Sequence, residues 1–275
     1  MLRVALIFLV LVSAPARAQS LVIIGGGDRP PDVVAEIVRL GRGERIVVVP
    51  AASGSPAEVG AAQASEFTAA GFASAAVALG DPDADSTVAL FSGATAVFFS
   101  GGDQNRLVAA LHGTRTLAAI RTLWARGGVV AGTSAGAAVM SSVMLTGDER
   151  REAGSDEAFT TVQQGNVVTA EGFGFVAWAV VDQHFAARRR QNRLISVVLD
   201  HPDLVGVGID EATAVVVSPD GAMRVAGAGS VQVFDAREAQ VEVRAGRVSA
   251  AGLRVHVLAS GDVLTPEGAV VLAAP

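Results

Sequence analysis

One serine of this chain stands in a pattern that is typical of a catalytic nucleophile. The segment Gly132-Thr133-Ser134-Ala135-Gly136 follows the β-branched residues Val129 and Val130 and leads into small residues that favour a helix. A strand–turn–helix context with the pattern G-x-S-x-G predicts a nucleophile elbow, which exposes the serine hydroxyl at a tight turn. Glycines flank such a serine because the turn leaves no room for a Cβ. An ordinary glycine-rich turn can have the same five residues. Whether Ser134 is a nucleophile therefore depends on whether the chain offers it a base and an orienting acid.

A serine hydroxyl needs a general base, usually a histidine that a carboxylate orients. Of the four histidines, His184 ends an apolar strand within the polar cluster Asp182-Gln183-His184. Sites form at the carboxyl ends of strands in parallel α/β sheets, so we predict His184 as the base. The other three histidines are predicted to be structural or exposed. His112 lies in a helical pattern, His201 at a helix end and His256 in the β-rich tail.

The orienting acid has three candidates. Glu211 comes just after the apolar strand residues of Val207–Ile209 and is the strongest candidate for the orienting acid. Asp210 would point the other way in an extended chain. Asp182 is closer to His184 in sequence than is usual, although it stays an alternative. The order serine, histidine, acid differs from the order serine, acid, histidine of the α/β-hydrolases, which disfavours that fold.

The oxyanion hole of a serine hydrolase needs two backbone N–H donors. The N–H of Ala135, directly after the nucleophile, is the first candidate. The glycine-rich stretch Ser100-Gly101-Gly102-Asp103-Gln104 can supply the second, because glycines allow the backbone to approach a ligand. The same stretch also fits a helix N-terminus capped by Asp103, and both interpretations are compatible.

Four arginines lie close behind His184, at Arg188-Arg189-Arg190 and Arg193. They cannot all point the same way on a helix, so a solvated charged face is the default interpretation. Beside a catalytic histidine, the same arginines could instead bind substrate carboxylates through paired hydrogen bonds.

Composition excludes several classes of function. The 275 residues contain no cysteine and no lysine, so disulfides, thiolate metal sites, Ser–Lys dyads and Walker-type phosphate loops are excluded. The 27 acidic residues outnumber the 21 arginines, which gives no support to nucleic-acid binding. The turn Gly25-Gly26-Gly27 lacks the pattern G-x-G-x-x-G and is predicted to be a tight turn at the sheet's carboxyl edge rather than a dinucleotide site. We expect neither a cofactor nor a metal.

Apolar strands alternate with helices along the first two thirds of the chain, which predicts an α/β fold with a mostly parallel sheet covered on both faces. A β-rich tail beyond Ala212 predicts an antiparallel extension of the same domain. The predicted strands are 21–24, 45–49, 75–79, 94–99, the elbow strand, 177–181, 204–209, 214–217, 223–225, 231–234, 241–243 and 253–258. The predicted helices are 30–40, 55–70, 83–90, 104–112, 117–126 and 186–199, and the polar stretch 147–174 is predicted as loops and short strands.

The first twenty residues have the features of a secretory signal peptide. A positive start is followed by the apolar run Val4–Val12 and by the A-x-A site Ala16-Arg17-Ala18 before Gln19. The apolar run is too short to span a membrane, although an uncleaved anchor is the alternative. The sequence therefore predicts an exported, periplasmic or extracellular protein with one domain over residues 21–275 and no membrane contact after cleavage.

Four motifs in the same order resemble those of the cyanophycinases, which belong to the serine peptidase family that also contains dipeptidase E. They are Ser100–Gln104, Gly132–Ala137, Asp182–Leu194 and Gly208–Glu211. The resemblance runs from about Leu21 into the C-terminal β segments. It implies a three-layer α/β sandwich like that of class I glutamine amidotransferases, with serine in place of their cysteine. Because such relatives are often dimers, a homodimer is a further expectation.

The resemblance also implies roles for single residues. By family, Ser134 is the nucleophile, His184 the base and Glu211 the orienting acid, while Gly102 and Ala135 form the oxyanion hole. Matching positions of the family's substrate pocket are Gln104, Asp182, Gln183, Arg188, Arg190 and Arg193, whereas Arg189 has no counterpart there.

The substrate implied by the resemblance is cyanophycin, a poly-aspartate backbone with arginine on each β-carboxyl, which is cut to β-aspartyl-arginine dipeptides. Substrate carboxylates would pair with arginines, and substrate guanidinium groups with Asp182 and Gln104. Two alternatives stay open. One is an aspartyl or isoaspartyl dipeptidase closer to dipeptidase E, and the other is a binding module that kept an elbow-like turn.

Overall fold

The computed structural model describes residues 19–150, 159–244 and 247–274, and the predicted signal peptide lies almost entirely outside these ranges. Five short apolar strands run parallel and form one side of a nine-stranded sheet. They are β1 (Ser20–Ile24), β2 (Arg45–Val49), β3 (Ser74–Val77), β4 (Ala96–Phe99) and β5 (Val129–Thr133). Their order is β1-β5-β4-β2-β3, with β3 at the edge of the sheet. The predicted mostly parallel central sheet is confirmed.

Four antiparallel strands extend this sheet beyond β1. They are β10 (Thr213–Val217), β11 (Met223–Gly227), β16 (Val263–Leu264) and β17 (Val270–Val271). β10 pairs directly with β1, with Ile24 opposite Ala214. The antiparallel extension predicted from the β-rich tail is therefore present and joins the central sheet at the strand that precedes the Gly25–Gly27 turn.

Helices cover both faces of the central sheet. On one face, α1 (Pro31–Leu40) and α2 (Pro56–Ala70) share a buried core with Ile24. The other face, which includes Ile23, packs against a second group of helices. These are α3 (Asp85–Ala89), α4 (Gln104–Leu111), α5 (Arg115–Ala125) and the single turn α6 (Ala135–Ala138). Burial on both faces explains why β1, β2, β4 and β5 are nearly continuous apolar runs instead of alternating.

A second sheet packs on the side of α6. Its strands have the order β15-β12-β9-β8, and only β8 and β9 are parallel. The sequence predicted these strands but not that they form a sheet of their own. One face belongs to the core of the central sheet, and the other packs on α7 (Gln191–Asp200). The strands are β8 (Ala179–Asp182), β9 (Val205–Ile209), β12 (Val231–Asp235) and β15 (Arg254–Leu258).

Two hairpins complete the described fold. One pairs β6 (Val143–Glu149) with β7 (Val167–Glu171), and the other pairs β13 (Gln240–Arg244) with β14 (Arg247–Ala251). The first accounts for the short strands predicted within 147–174, of which residues 151–158 lie outside the described ranges. The segment 159–166 lies against α7, where the N–H of Gln163 donates to Ser196 Oγ.

The predicted helix 186–199 is too long at its start, because α7 begins only at Gln191. The residues before it form a turn in which the N–H of Arg188 donates to the carbonyl of His184. His184 and Arg189 have φ values of 47° and 53°, which a continuous right-handed helix does not allow. Apolar periodicity carries no sign of this turn, because its residues are as compatible with a helix as those of α7.

Candidate active site

Ser134 stands at a sharp turn between β5 and α6. Its φ of 53° and ψ of −112° are strained for a residue with a side chain. The turn is held in place because the N–H of Ser134 donates to the carbonyl of Ile24, 3.0 Å away. Both flanking glycines are required: a Cβ on Gly132 would lie 2.5 Å from the carbonyl oxygen of Gly136, and one on Gly136 only 2.3 Å from that of Phe99. The predicted strand–turn–helix context of the serine is present.

His184 and Glu211 meet Ser134 from two strands of the second sheet. Ser134 Oγ lies 2.8 Å from His184 Nε2, and His184 Nδ1 lies 2.6 Å from Glu211 Oε1. His184 follows β8, and its N–H donates to the carbonyl of Gly25 at 2.7 Å, so the second sheet is joined to the end of β1 at this point. The three side chains form one continuous hydrogen-bonded chain, in which the imidazole can accept the serine proton while the carboxylate fixes its orientation.

The imidazole is held in its neutral, basic form. Only 8% of His184 is exposed. Burial lowers the pKa of His184 below its ordinary value of 6.5, and the positive charges of Arg188 and Arg190 lower it further. The hydrogen bond and the charge of Glu211 act in the opposite direction. A neutral imidazole at neutral pH is what a general base requires.

The alternatives to Glu211 and His184 have other contacts. Asp210 points away from the site, as predicted for its position, and its Oδ1 accepts the N–H of Ala187 at 3.0 Å. Asp182 binds Arg193. The other histidines lie outside the site. His112 is beside Glu171, His201 is at the C-cap of α7, and His256 is in β15.

The glycine-rich loop after β4 lies beside Ser134. A Cβ on Gly101 would lie 3.4 Å from Ser134 Cβ. Gly102 has a φ of +139°, and a Cβ there would lie 2.1 Å from the carbonyl oxygen of Ala52. Ala135 is fully buried directly after Ser134. Gly101 thus adjoins Ser134 and is followed by Gly102, and the role of Gly102 and Ala135 as oxyanion donors stays a prediction.

Asp182 and Arg193, two of the predicted substrate-binding residues, are engaged with each other. Arg193 Nε donates to Asp182 Oδ2 at 2.7 Å, and Arg193 Nη2 donates to Oδ1. Asp182 is 1% and Arg193 4% exposed. This buried pair supports Gln183 and Arg190, which stand at its edge.

Arg190 and Gln183 bind each other through the Arg190 guanidinium, which donates to both oxygens of Gln183. Burial and the neighbouring charge of Arg193 lower the pKa of Arg190 to about 10, while Asp182 opposes this change, so Arg190 is still a cation at neutral pH. Arg188 is exposed and close enough to affect the pKa of His184. Of the predicted arginines, Arg188 and Arg190 are therefore the two best placed to meet a substrate.

Gln104 is the predicted pocket residue that faces away from this cluster. Its amide nitrogen donates to the carbonyls of Leu145 and Thr146 in β6. Asp103 caps α4 by accepting the N–H of Asn105 at 2.8 Å, so the capping interpretation of this residue is confirmed. Gln104 thus ties the hairpin of β6 and β7 to the loop beside Ser134.

Two features of the site were missed from the sequence. The Gly25–Gly27 turn was interpreted as a tight turn only, yet Gly26 and Gly27 lie directly against His184 and Glu211. The sequence signal was present, since three glycines follow a strand at the carboxyl edge of the sheet, where sites form. Gln63 of α2 was also missed, and it accepts a hydrogen bond from Ser100.

Comparison with known protein families identifies one family that matches most of the chain. The model of peptidase family S51 matches residues 20–225. The chain belongs to peptidase family S51. The predicted family resemblance is therefore confirmed, and the protein is described below as an S51 peptidase.

The relatives of this S51 peptidase include several cyanophycinases. It is 38% identical over 228 residues to a cyanophycinase of Synechococcus elongatus, covering 79% of this chain and 68% of that protein. It is 43% identical over 173 residues to a cyanophycinase of Trichormus variabilis, covering 60% of this chain and 55% of that one.

Two solved structures share the fold. A peptidase from an acI-B1 Actinobacterium superposes with a TM-score of 0.62 at 23% identity, over 91% of this chain and 98% of that one. A protein from Listeria monocytogenes EGD-e described as a peptidase E has a TM-score of 0.53 at 14% identity, over 77% of this chain and 100% of that one.

Two negative findings apply to the described ranges. They contain no group of three or more His, Cys, Asp or Glu side chains that could hold a metal ion. No helix within them is long and apolar enough to cross a membrane.

Proposed function

We propose that this S51 peptidase is a serine peptidase in which Ser134 attacks the substrate, His184 is the general base and Glu211 orients His184. The continuous contact from Ser134 Oγ through the imidazole to Glu211 Oε1, with distances of 2.8 Å and 2.6 Å, carries this proposal. In the first step His184 Nε2 takes the hydroxyl proton as Oγ bonds to the carbonyl carbon. The imidazolium then returns that proton to the leaving amine, which leaves an acyl group on Ser134.

The oxyanion that forms in this step needs donors that are already in place. The N–H of Ala135, directly after Ser134, and the N–H of Gly102, directly after the Gly101 that adjoins Ser134, are proposed to bind it. Water then attacks the acyl group with His184 again as the base, which releases the acid product and restores Ser134.

The proposed substrate is cyanophycin, cut in its poly-aspartate backbone to β-aspartyl-arginine dipeptides. Support comes from relatives at 38% and 43% identity that are named cyanophycinases, and from the cations Arg188 and Arg190 beside His184. Guanidinium groups match the carboxylates of an aspartyl substrate through paired hydrogen bonds. The proposed pocket also contains Gln183 and Gln104. Asp182 and Arg193 contribute to it as the buried pair that supports Arg190.

A dipeptidase that acts on aspartyl or isoaspartyl dipeptides is the second candidate. The structural similarity to the protein described as a peptidase E favours it. The two functions share the Ser134 chemistry and differ in whether the pocket accepts a polymer.

Further parts of the proposal concern the whole chain. We propose that residues 1–20 are a signal peptide for export, that 21–275 form one domain, and that this domain has the layering of the class I glutamine amidotransferases. The two helix-covered faces of the central sheet are compatible with that layering.

The test compares wild type, Ser134→Ala and Ser65→Ala on cyanophycin and on β-aspartyl and α-aspartyl dipeptides. Ser65 is exposed on α2 and serves as the matched control. We expect dipeptide release from the polymer by wild type and Ser65→Ala and none by Ser134→Ala. Turnover of dipeptides with an inert polymer would select the dipeptidase instead. Equal activity of Ser134→Ala and wild type would contradict the role of Ser134 as nucleophile, and no turnover of any substrate by wild type would favour a binding module.

A further inference from the structure

A glutamine interrupts the buried face of α2. The residues of this helix that are buried against the central sheet are Gly60, Gln63 and Phe67. Phe67 packs on the ring of Phe98 in β4, with 4.8 Å between the ring centroids. Gln63 is 7% exposed, and a polar side chain there is costly unless it is hydrogen-bonded.

The amide oxygen of Gln63 accepts a hydrogen bond from the loop beside Ser134. Ser100 Oγ donates to Gln63 Oε1 at 2.5 Å, and Ser100 has no exposed surface. Ser100 directly follows β4 and precedes Gly101, which lies against Ser134. The hydrogen bond therefore connects α2 to the first residue of the loop that passes the nucleophile.

The segment that leads into α2 holds the same loop at its other end. The carbonyl oxygen of Ala52 accepts the N–H of Asp103 at 2.9 Å, and it lies so close to Gly102 that a Cβ would not fit there. The loop 100–103 is thus fixed at Ser100 by Gln63 and at Asp103 by Ala52, with Gly101 and Gly102 between the two anchors.

We infer that Gln63 is a positioning residue for the reaction. It fixes the loop 100–103 at the distance from Ser134 at which the N–H of Gly102 can bind the oxyanion. This inference rests on the proposed function. An oxyanion exists only after the hydroxyl has attacked, so a misplaced donor lowers kcat and leaves substrate binding nearly unchanged.

The experiment removes the hydrogen bond from each side. Gln63→Leu removes the acceptor with a side chain of similar size, Ser100→Ala removes the donor, and the double variant removes both. Thr68→Ala on the exposed face of α2 is the control, because it removes a hydrogen bond of the same helix without touching the loop. The measurements are kcat and KM on cyanophycin or on the dipeptide that wild type turns over, the rate of Ser134 labelling by a fluorophosphonate, and the thermal midpoint.

We expect each single variant to lose about 10-fold in kcat and in labelling rate, a part of the loss that deletion of a whole oxyanion donor causes. KM should change less than about 2-fold. The double variant should be no slower than the slower single variant, because both changes remove one interaction. Thr68→Ala should match wild type.

The outcomes separate this inference from the proposed function. Absence of labelling in wild type overturns the proposed function and this inference with it. Labelling of wild type but not of Ser134→Ala, with unchanged kcat in Gln63→Leu, overturns the positioning role alone. Multiplicative losses in the double variant, or a raised KM at unchanged kcat, also overturn it. If Gln63→Leu does not fold, Ser100→Ala tests the same bond without a change in α2.

Discussion

The ring of His184 occupies the space that a side chain on Gly26 would need. A Cβ on Gly26 would lie 2.3 Å from His184 Cε1 and 2.4 Å from Nε2. The carbonyl of Gly26 also accepts the N–H of Ala212, next to Glu211, at 3.0 Å. The turn after β1 therefore forms the wall against which the imidazole rests, and it helps to set the position of the acid.

Gly26→Ala is expected to lower kcat by about 100-fold or more. The added methyl group displaces the imidazole, and a displacement of about 1 Å is enough for a loss of this size. A steady-state assay of the purified variant, with circular dichroism to verify folding, provides the measurement.

Gly80→Ala is the matched control for this variant. Gly80 also has a positive φ, +100°, but no atom lies within 4 Å of a Cβ built on it. Gly80→Ala therefore shares the backbone strain of Gly26→Ala and lacks the collision with the ring of His184. We expect a small loss of stability and the kcat of wild type. Equal losses of kcat in both variants would show that backbone strain, and not the position of His184, explains the effect.

The pH profile of kcat/KM should report the lowered pKa of His184. Protonation would remove the proposed general base, so the acidic limb should have its midpoint below 6.5. Arg188 is exposed, and its positive charge disfavours the imidazolium. Arg188→Ala removes this charge, raises the pKa of His184 and should shift the limb to higher pH.

Arg188→Lys keeps the positive charge and is the control for this shift. Its acidic limb should stay within a few tenths of a pH unit of wild type, even where the loss of the guanidinium raises KM. A limb that moves equally in both variants would show that the charge of Arg188 does not tune His184.

The sequence predicted the central sheet well because its strands are buried on both faces. Continuous apolar runs such as those of β2 and β5 have no other good interpretation between glycine-rich turns. The predicted start of α7 was wrong by five residues. The turn before α7 depends on positive φ values at His184 and Arg189, which both have side chains. Nothing in their residue types indicates this conformation.

The residues of the site were easier to predict than their contacts. Ser134, His184 and Glu211 each follow a strand, so their convergence could be anticipated from position alone. The pairing of Asp182 with Arg193 could not, because both are also good substrate ligands. Only the structure shows their paired hydrogen bonds, and the burial of the pair depends on how the segment 159–166 lies over α7.

Asp182→Asn is expected to destabilise the protein by about 3–5 kcal/mol. The change leaves the guanidinium of Arg193 buried without its counter-ion. Asp85→Asn is the control, because the ion pair of Asp85 with Arg115 is mostly exposed and such pairs contribute about 0–1 kcal/mol. Urea unfolding of the three proteins measures both changes. Similar midpoints for the two variants would mean that the buried pair contributes no more than a surface pair.

Thr133, directly before the nucleophile, has a buried hydroxyl with no hydrogen-bond partner among the residues described. Thr133→Val replaces this hydroxyl by a methyl group of the same shape. Because an unpaired buried hydroxyl is unfavourable, the variant should gain roughly 1 kcal/mol of stability and keep its kcat within about 2-fold.

Thr95→Val distinguishes this effect from a general gain on replacing a buried threonine by valine. Thr95 is as buried as Thr133, at 5% exposure, but its hydroxyl donates to the carbonyl of Gly41 at 2.6 Å. Its replacement should therefore lower the thermal midpoint, because the carbonyl loses its donor. If Thr133→Val instead loses stability as Thr95→Val does, the hydroxyl of Thr133 has a partner in solution. If it keeps its stability but loses kcat, the hydroxyl of Thr133 itself takes part in the reaction, since Thr133 adjoins the proposed nucleophile.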